Sequence, residues 1–354
     1  MIGTSPAEEQ LFESCHANVP NLERYLSRWL MVSEAEFIRR DNVKDFIRWA
    51  FFTPGYVQER DQQNEGEVET YVTEIEKLTG RELPPGRMDV KSLGQLLNEA
   101  GGSHRSLLCF LRDLDKELER GATDHNEVGI IALEIMPISS RITHPALEKD
   151  VMIHEIMEIM RYHGWSRFVL VSHSYGSVIA AHLLKSDQSA PLIGPMVFID
   201  PVSFLLHLPD VAYNFIARRP ARANEYQLWY FGSKDIGVAH TLARRFSWVD
   251  NIIWKEDLRI KGDNNQEEDR NVTVVLSGKD LIVDAETVGQ YLMGSSSGAW
   301  TVDKDAAQAW KNRPWVGHGL ELLWYEQLDH AQVFDSENTR GPVIRAVSVY
   351  SNAI

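Results

Sequence analysis

Apolar runs rich in β-branched residues alternate with segments of helical spacing, and this alternation limits the possible folds more than any other feature. We predict that the runs are buried strands, and they lie at 127–136, 166–173, 195–200, 271–278 and 319–327. Between them, segments such as 144–165 and 175–186 repeat apolar residues every three or four positions. Strands that alternate with helices form βαβ units, so the sequence predicts an α/β fold with a mainly parallel sheet and helices on both faces.

Two regions do not fit this alternation. Residues 1–85 show helical spacing and end at a turn-rich ELPPGR segment, so we predict a helical N-terminal extension there and a main domain over 86–354. A stretch rich in Trp, Tyr, Phe and Arg lies at about 202–268, between two predicted strands. Its patterning is helical at 211–219 and 238–248, so we interpret it as an insertion into the main domain.

A serine-centred pentapeptide stands where the predicted strand 166–173 meets the next helix. It reads Ser172-His173-Ser174-Tyr175-Gly176, which is similar to the G-x-S-x-G pattern of a nucleophile elbow except that Ser172 replaces the first glycine. Small residues on both sides of the central serine allow a sharp turn that raises its hydroxyl above the sheet edge. The sequence therefore predicts Ser174 as a nucleophile, and a serine that only caps the helix is the alternative.

A serine nucleophile needs a base, and the base needs an acid to orient it, because the hydroxyl is not reactive at neutral pH. In open α/β sheets these groups lie at the carboxyl ends of strands. Asp280 follows the predicted strand 271–278, and His330 follows the predicted strand 319–327. The chain order Ser174, Asp280, His330 is the order expected after an elbow of this type, so we predict that the three form a catalytic triad.

Other carboxylates and histidines compete for the roles of acid and base. Asp200 also ends a predicted strand and is the alternative acid. Asp284 lies further from its strand end, where we expect it to face solvent or cap a helix. His318 precedes the last predicted strand and is expected to be exposed or structural, and His173 is expected to pack under the elbow.

Over roughly residues 85–335 the chain resembles the α/β-hydrolases. Its elbow and four further segments are similar to filamentous-fungal members, some of which belong to secondary-metabolite pathways. These segments are 39–52, 207–215, 278–284 and 329–334. The resemblance implies an α/β-hydrolase fold with its nucleophile, acid and base at Ser174, Asp280 and His330. It also implies that the insertion at about 202–268 is a helical lid that covers the pocket and shapes substrate choice.

The oxyanion site is the part of the family pattern that this sequence alters. A tetrahedral intermediate needs two backbone N–H donors, and Tyr175, directly after the nucleophile, is predicted to supply one. The family takes the other from a His-Gly-type loop, but Asn98-Glu99 stands at that place here. We expect Gly101 and Gly102, which follow, to expose the second N–H, while altered chemistry or lost activity stays open.

The insertion is expected to supply the walls of the substrate pocket. Its aromatic and aliphatic residues favour an apolar or aromatic small molecule over a sugar or a phosphate. We predict substrate contacts for Phe204, His207, Leu208, Trp229 and Trp248. The alternative for each apolar residue is that it packs inside the insertion, and for His207 that it only makes a hydrogen bond.

Composition and charge exclude several other classes of protein. Lys and Arg number 36 against 51 Asp and Glu, a net charge of −15, which would repel nucleic acid and anionic membranes. Two cysteines, no secretory signal and no apolar run of transmembrane length predict a cytoplasmic protein. No His, Cys and carboxylate cluster has metal spacing and no glycine-rich phosphate loop follows a strand, so we expect neither a metal nor a cofactor.

Together these observations predict an enzyme, a serine hydrolase that cleaves an ester, lactone or thioester through an acyl-enzyme. Ser174 would attack the carbonyl, His330 would move the proton and Asp280 would hold the imidazole. Two alternatives remain. The same scaffold could run a cyclisation or elimination with His330 as base, or it could be an inactive binding protein.

Overall fold

Within the residues that the structure describes, a four-stranded parallel sheet forms the centre. In chain order, the strands are β1 Phe168–His173, β2 Ile193–Ile199, β3 Arg259–Lys261, β4 Glu267–Asp269, β5 Val272–Ser277 and β6 Leu320–Tyr325. The sheet has the order β1-β2-β5-β6, and every neighbouring pair in it is parallel. The two short strands β3 and β4 form a separate antiparallel hairpin. All four carboxyl ends of the central strands therefore meet at one edge of the sheet.

Nine helices of eight residues or more occur in the part of the chain that the structure describes. They are α1 Leu22–Trp29, α2 Arg40–Phe51, α3 Glu65–Thr79, α4 Leu107–Gly121, α5 Lys149–Tyr162, α6 Gly176–Leu184, α7 Ile236–Arg244, α8 Ala285–Met293 and α9 Glu337–Ser351. Shorter helical segments are Ala35–Phe37, Met136–Ile138, Ala190–Leu192, Asp210–Ala212, Tyr213–Ala217, Ala223–Gln227, Leu228–Ser233, Trp248–Asn251, Lys255–Leu258, Ala306–Asn312 and Gln332–Phe334. This computed structural model describes residues 10, 13–15, 17–30, 35–51, 65–88, 107–121, 128–139, 145–244, 246–261, 267–294 and 306–353.

Helices cover the sheet on both faces. Successive side chains of a strand point to opposite faces, so Met196 and Phe198 of β2 join one apolar cluster and Val197 and Ile199 join another. Helices α5, α6 and α8 pack in the first cluster, and α4 and α9 pack in the second. The prediction of an α/β fold with a mainly parallel sheet between helical layers is confirmed.

The N-terminal helices pack against the chain that follows β2. Buried residues of α1 to α3 share an apolar cluster with Leu206, Trp248 and Ile252. Two polar contacts join the same parts: Arg28 forms a salt bridge with Asp210, and the Trp29 indole N–H donates to the His207 carbonyl oxygen over 3.1 Å. The two regions that break the strand–helix alternation in the sequence are therefore packed on each other.

One predicted strand is wrong. Residues 128–135 of the apolar run 127–136 adopt neither helix nor strand, and Leu133 is 46% exposed. Within the described part of the chain no strand pairs with this segment, so its backbone stays outside the hydrogen-bond ladder of the sheet. A run of apolar residues shows that a segment can be buried, but pairing requires a neighbouring strand.

No helix among the described residues combines the length and the apolar character that crossing a membrane requires.

Candidate active site

The serine-centred pentapeptide forms a sharp turn between β1 and α6. Ser174 has a φ of 51°, a left-handed conformation that costs energy for a residue with a side chain. Its backbone N–H donates to the Ile199 carbonyl oxygen over 3.0 Å, which ties the turn to the end of β2. A Cβ on Gly176 would lie only 3.4 Å from the Ser172 Cβ, so the turn accommodates Ser172 beside a glycine.

The structure brings Ser174, His330 and Asp280 into one hydrogen-bonded line. Ser174 Oγ lies 2.9 Å from His330 Nε2, and His330 Nδ1 lies 2.7 Å from Asp280 Oδ2. The other carboxylate oxygen of Asp280 accepts from the backbone N–H groups of Ile282 and Val283 at 2.7 and 2.9 Å. An acid held in this way keeps its second oxygen aimed at the imidazole, where it favours the tautomer with the proton on Nδ1.

The charges around His330 make it a stronger base than a free histidine. Burial alone would lower its pKa, but the Asp280 carboxylate opposes this by charge and by hydrogen bond, with further help from Asp200 and Asp329. The pKa of His330 is raised to about 9 as a result. His173, by contrast, has its pKa lowered to about 3 by burial and by the nearby His330.

Asp200, the alternative acid, does not bond to the imidazole. Its side chain is fully buried, with Oδ1 accepting from the Ser277 N–H at 3.1 Å and Oδ2 accepting from the Ala331 N–H at 2.8 Å. Burial raises the pKa of Asp200 to about 6, although the charge of His330 opposes this shift. The structure thus favours Asp280 over Asp200 as the partner of the base.

The remaining competitors lie where the sequence suggested. Asp284 caps α8 by accepting from the Thr287 N–H at 3.1 Å. His318 is exposed. The ring of His173 packs edge-on against Phe334, with the ring centres 5.0 Å apart.

A residue that the sequence analysis did not single out is Asp329, directly before His330. Its Oδ1 accepts from the backbone N–H groups of Leu281 and His330 at 2.9 and 2.7 Å. Its Oδ2 accepts from the Asn224 side-chain amide at 2.9 Å. Asp329 therefore joins the loop of the acid, the loop of the base and the segment after β2. The adjacent Asp-His pair in the sequence was the available signal.

Of the two predicted sources of oxyanion N–H donors, the structure describes only one. Tyr175 occupies the expected place at the start of α6, and within the described residues its backbone N–H has no acceptor. That N–H is therefore open to an oxygen bound beside Ser174. Gly101 and Gly102, together with Asn98-Glu99, lie outside the described residues.

A cavity of about 2310 Å³ reaches Ser174 and His330. Its lining is mostly apolar, and it includes Trp29, Val211, Phe215, Leu228, Trp248 and Ile282. Of these, only Trp248 was predicted from the sequence. Trp29 reaches the cavity from α1, so the N-terminal helices contribute directly to its wall.

The other four predicted substrate contacts lie away from the cavity wall. Phe204 is buried against Phe198 with ring centres 5.5 Å apart, and Leu208 is in the same apolar cluster. His207 is buried among aromatic rings, 5.3 Å from Trp254 by ring centres. Trp229 faces outward, beside the Lys234 ammonium. Phe204 and Leu208 thus belong to the apolar cluster on one face of the sheet, and Trp229 lies at the surface of the insertion.

Among the described residues, one group of three side chains has metal-ligand spacing: Asp200, Asp280 and His330, with one ligand atom of each within 4.8 Å of the others. Both nitrogens of His330 and both oxygens of Asp200 already have hydrogen-bond partners. An ion bound through His330 would displace one of the two hydrogen bonds of its imidazole, to Ser174 or to Asp280.

No protein-family model matches the chain, and no curated protein matches its sequence. Among solved structures, it is similar to a hydrolase from Pseudomonas aeruginosa, at 13% identity over 58% of this chain and 74% of that one, with a TM-score of 0.35. A metagenome-derived lipolytic enzyme is 12% identical over 69% and 88% of the two chains, with a TM-score of 0.37. A proline iminopeptidase-related protein from Thermus thermophilus is 13% identical over 59% and 73%, with a TM-score of 0.34.

Proposed function

We propose that the protein is a serine hydrolase that cleaves an ester, lactone or thioester of an apolar or aromatic small molecule. The observation that carries this proposal is the line from Ser174 Oγ through His330 to Asp280, with heavy-atom distances of 2.9 and 2.7 Å. A serine needs both partners, in this order, to become a nucleophile.

In the proposed reaction, Ser174 Oγ attacks the carbonyl carbon while its proton moves to His330 Nε2. Asp280 holds Nδ1–H and stabilises the imidazolium that forms. The Tyr175 N–H donates to the carbonyl oxygen as it becomes negative. The imidazolium then protonates the leaving alcohol or thiol, and a water molecule, deprotonated by the same imidazole, releases the acyl group from Ser174.

The walls of the cavity support an apolar substrate. Phe215, Leu228, Trp248 and Ile282 offer aromatic and branched side chains for contact with an apolar substrate. Phe215 and Leu228 belong to the segment after β2, which therefore acts as a lid in this proposal. The aromatic side chains of this segment favour an apolar acyl or polycyclic substrate over a sugar or a phosphate.

Hydrolysis of p-nitrophenyl esters from acetate to decanoate, with naphthyl acetate as an aromatic member, tests this proposal. We expect turnover by the wild-type protein, with a preference for the larger apolar esters, and no turnover by Ser174→Ala. Ser186→Ala, in the loop after α6, is the matched control and should behave as the wild type. Equal turnover by Ser174→Ala would reject the acyl-enzyme and favour chemistry that uses His330 alone as base.

A further inference from the structure

Asp200 is a buried carboxylate beside the proposed triad, and the proposed reaction gives it no proton to move. It is 0% exposed, at the end of β2. One of its oxygens, one oxygen of Asp280 and one ring nitrogen of His330 lie within 4.8 Å of one another. Burying a second carboxylate next to the first is unfavourable, so its presence calls for a compensating role.

The two hydrogen bonds of Asp200 reach the two loops that carry the acid and the base. Ser277, which donates to Oδ1, is the last residue of β5 and lies three residues before Asp280. Ala331, which donates to Oδ2, directly follows His330. One side chain therefore fixes the start of the acid loop and the residue after the base.

Backbone conformation supports this role. Ala331 has a φ of 66° and Asp200 a φ of 42°, both in the left-handed region. Residues with a side chain hold such conformations only when their surroundings impose them, and functional sites are where this occurs most. The bond between these two residues, 2.8 Å from Ala331 N to Asp200 Oδ2, links both unfavourable conformations in one contact.

We propose that Asp200 is a positioning residue for the base. Its two hydrogen bonds set the distance between the acid loop and the base loop, and its negative charge stabilises the imidazolium of His330. This inference rests on the proposed function, because it assigns Asp200 a part in the same proton transfer.

Several charged or titratable groups face His330, and Asp200 acts together with them. Asp280 faces it from the loop after β5, Asp200 from the end of β2 and Asp329 from its own loop. From the end of β1, the His173 ring lies 5.4 Å away by ring centres. Since burial raises the pKa of Asp200 to about 6, its carboxylate is charged above that pH and adds to the effect of Asp280 there.

The test is the pH dependence of labelling by a fluorophosphonate. In this reaction Ser174 Oγ would bond to phosphorus, fluoride would leave, and the serine proton would pass to His330, so the rate follows the neutral imidazole. Rates from pH 5 to 10 give the midpoint for the wild type, Asp200→Asn and Asp200→Ser. Asp284→Asn is the matched control, because Asp284 also accepts a backbone N–H but bonds only within α8.

We expect the midpoint of both Asp200 variants to fall by about one pH unit or more, since a nearby opposite charge shifts a pKa by about 1 to 3 units. The plateau rate should also fall, and Asp284→Asn should match the wild type. The inference would be overturned if the wild type is labelled and the folded Asp200→Asn and Asp200→Ser variants have the same midpoint as the wild type. Loss of folding in both variants, measured by circular dichroism, would also overturn the inference, because it would show that Asp200 is needed for the stability of the fold. An unlabelled wild type would instead reject the proposed function.

Discussion

Asn224 and Asp329 are joined by a 2.9 Å hydrogen bond, from the amide nitrogen of one to the carboxylate of the other. Asn224 begins the stretch of the insertion that includes Leu228 on the cavity wall, and Asp329 directly precedes His330. This bond is a direct link between the proposed lid and the base.

Removing this link should loosen the insertion without unfolding the protein. We expect Asn224→Ala to speed amide hydrogen exchange in residues 223–233, because the segment loses a bond to the sheet edge. Tyr226→Ala, which removes an exposed side chain from the same short helix, is the control and should leave exchange unchanged. Equal exchange in both variants would show that the bond does not hold the segment.

Neutralising the proposed acid should nearly abolish turnover. Asp280→Asn keeps the size of the side chain but favours the wrong imidazole tautomer, so we expect kcat for ester hydrolysis to fall by about 10⁴-fold. Asp284→Asn, four residues further along, should retain the wild-type rate. If Asp200→Asn lowered kcat more than Asp280→Asn does, the acid would have to be moved to the end of β2.

The cavity wall should control substrate affinity through apolar contact. Phe215→Ala removes an aromatic ring from the wall, and the burial of such a ring contributes about 1.5–3 kcal/mol. We therefore expect KM for a naphthyl ester to rise by about 10- to 100-fold, with a smaller change in kcat. Tyr230→Ala, whose side chain is 66% exposed, should leave KM unchanged. Equal effects in both variants would place the substrate elsewhere.

The last helix, α9, is anchored by a buried polar group on β5. Thr273 Oγ1 lies 2.8 Å from the Tyr350 hydroxyl and accepts from the Trp315 indole N–H at 2.9 Å. Thr273→Val leaves both groups without this partner, so we expect a loss of about 1–3 kcal/mol in the free energy of unfolding, measured by urea titration. Tyr350→Phe keeps the Trp315 bond and should cost less. A Thr273→Val protein as stable as the wild type would contradict this network.

The elbow and the strand ends could be predicted from the sequence because local patterns determine them. Small residues flank Ser174, and apolar strands precede Asp280 and His330. Few other placements of these three residues in an α/β sheet are compatible with this pattern. Position at a strand end alone does not distinguish Asp200 from Asp280 as the acid, since both follow strands. The identity of the acid depends on which carboxylate oxygens accept hydrogen bonds from the backbone. Both oxygens of Asp200 accept from backbone N–H groups.

The substrate contacts were predicted less well. Aromatic spacing shows that Phe204 and Trp229 lie in an insertion with helices, but it does not show which side of a helix faces the cavity. The run 127–136 failed for a related reason, because strand pairing depends on a neighbour that the segment itself does not specify. Trp29 was missed because the place of α1 beside the cavity, far along the chain from the elbow, has no local signal.

The most direct test of the account is the mass of the intact protein after reaction with a fluorophosphonate. A stable adduct requires a serine activated by a base and faced by oxyanion donors, whatever the natural substrate is. We predict one adduct, mapped to Ser174, absent in Ser174→Ala and formed much more slowly in His330→Ala. A folded wild-type protein that gains no mass, or an adduct that persists in Ser174→Ala, would contradict the proposed serine hydrolase.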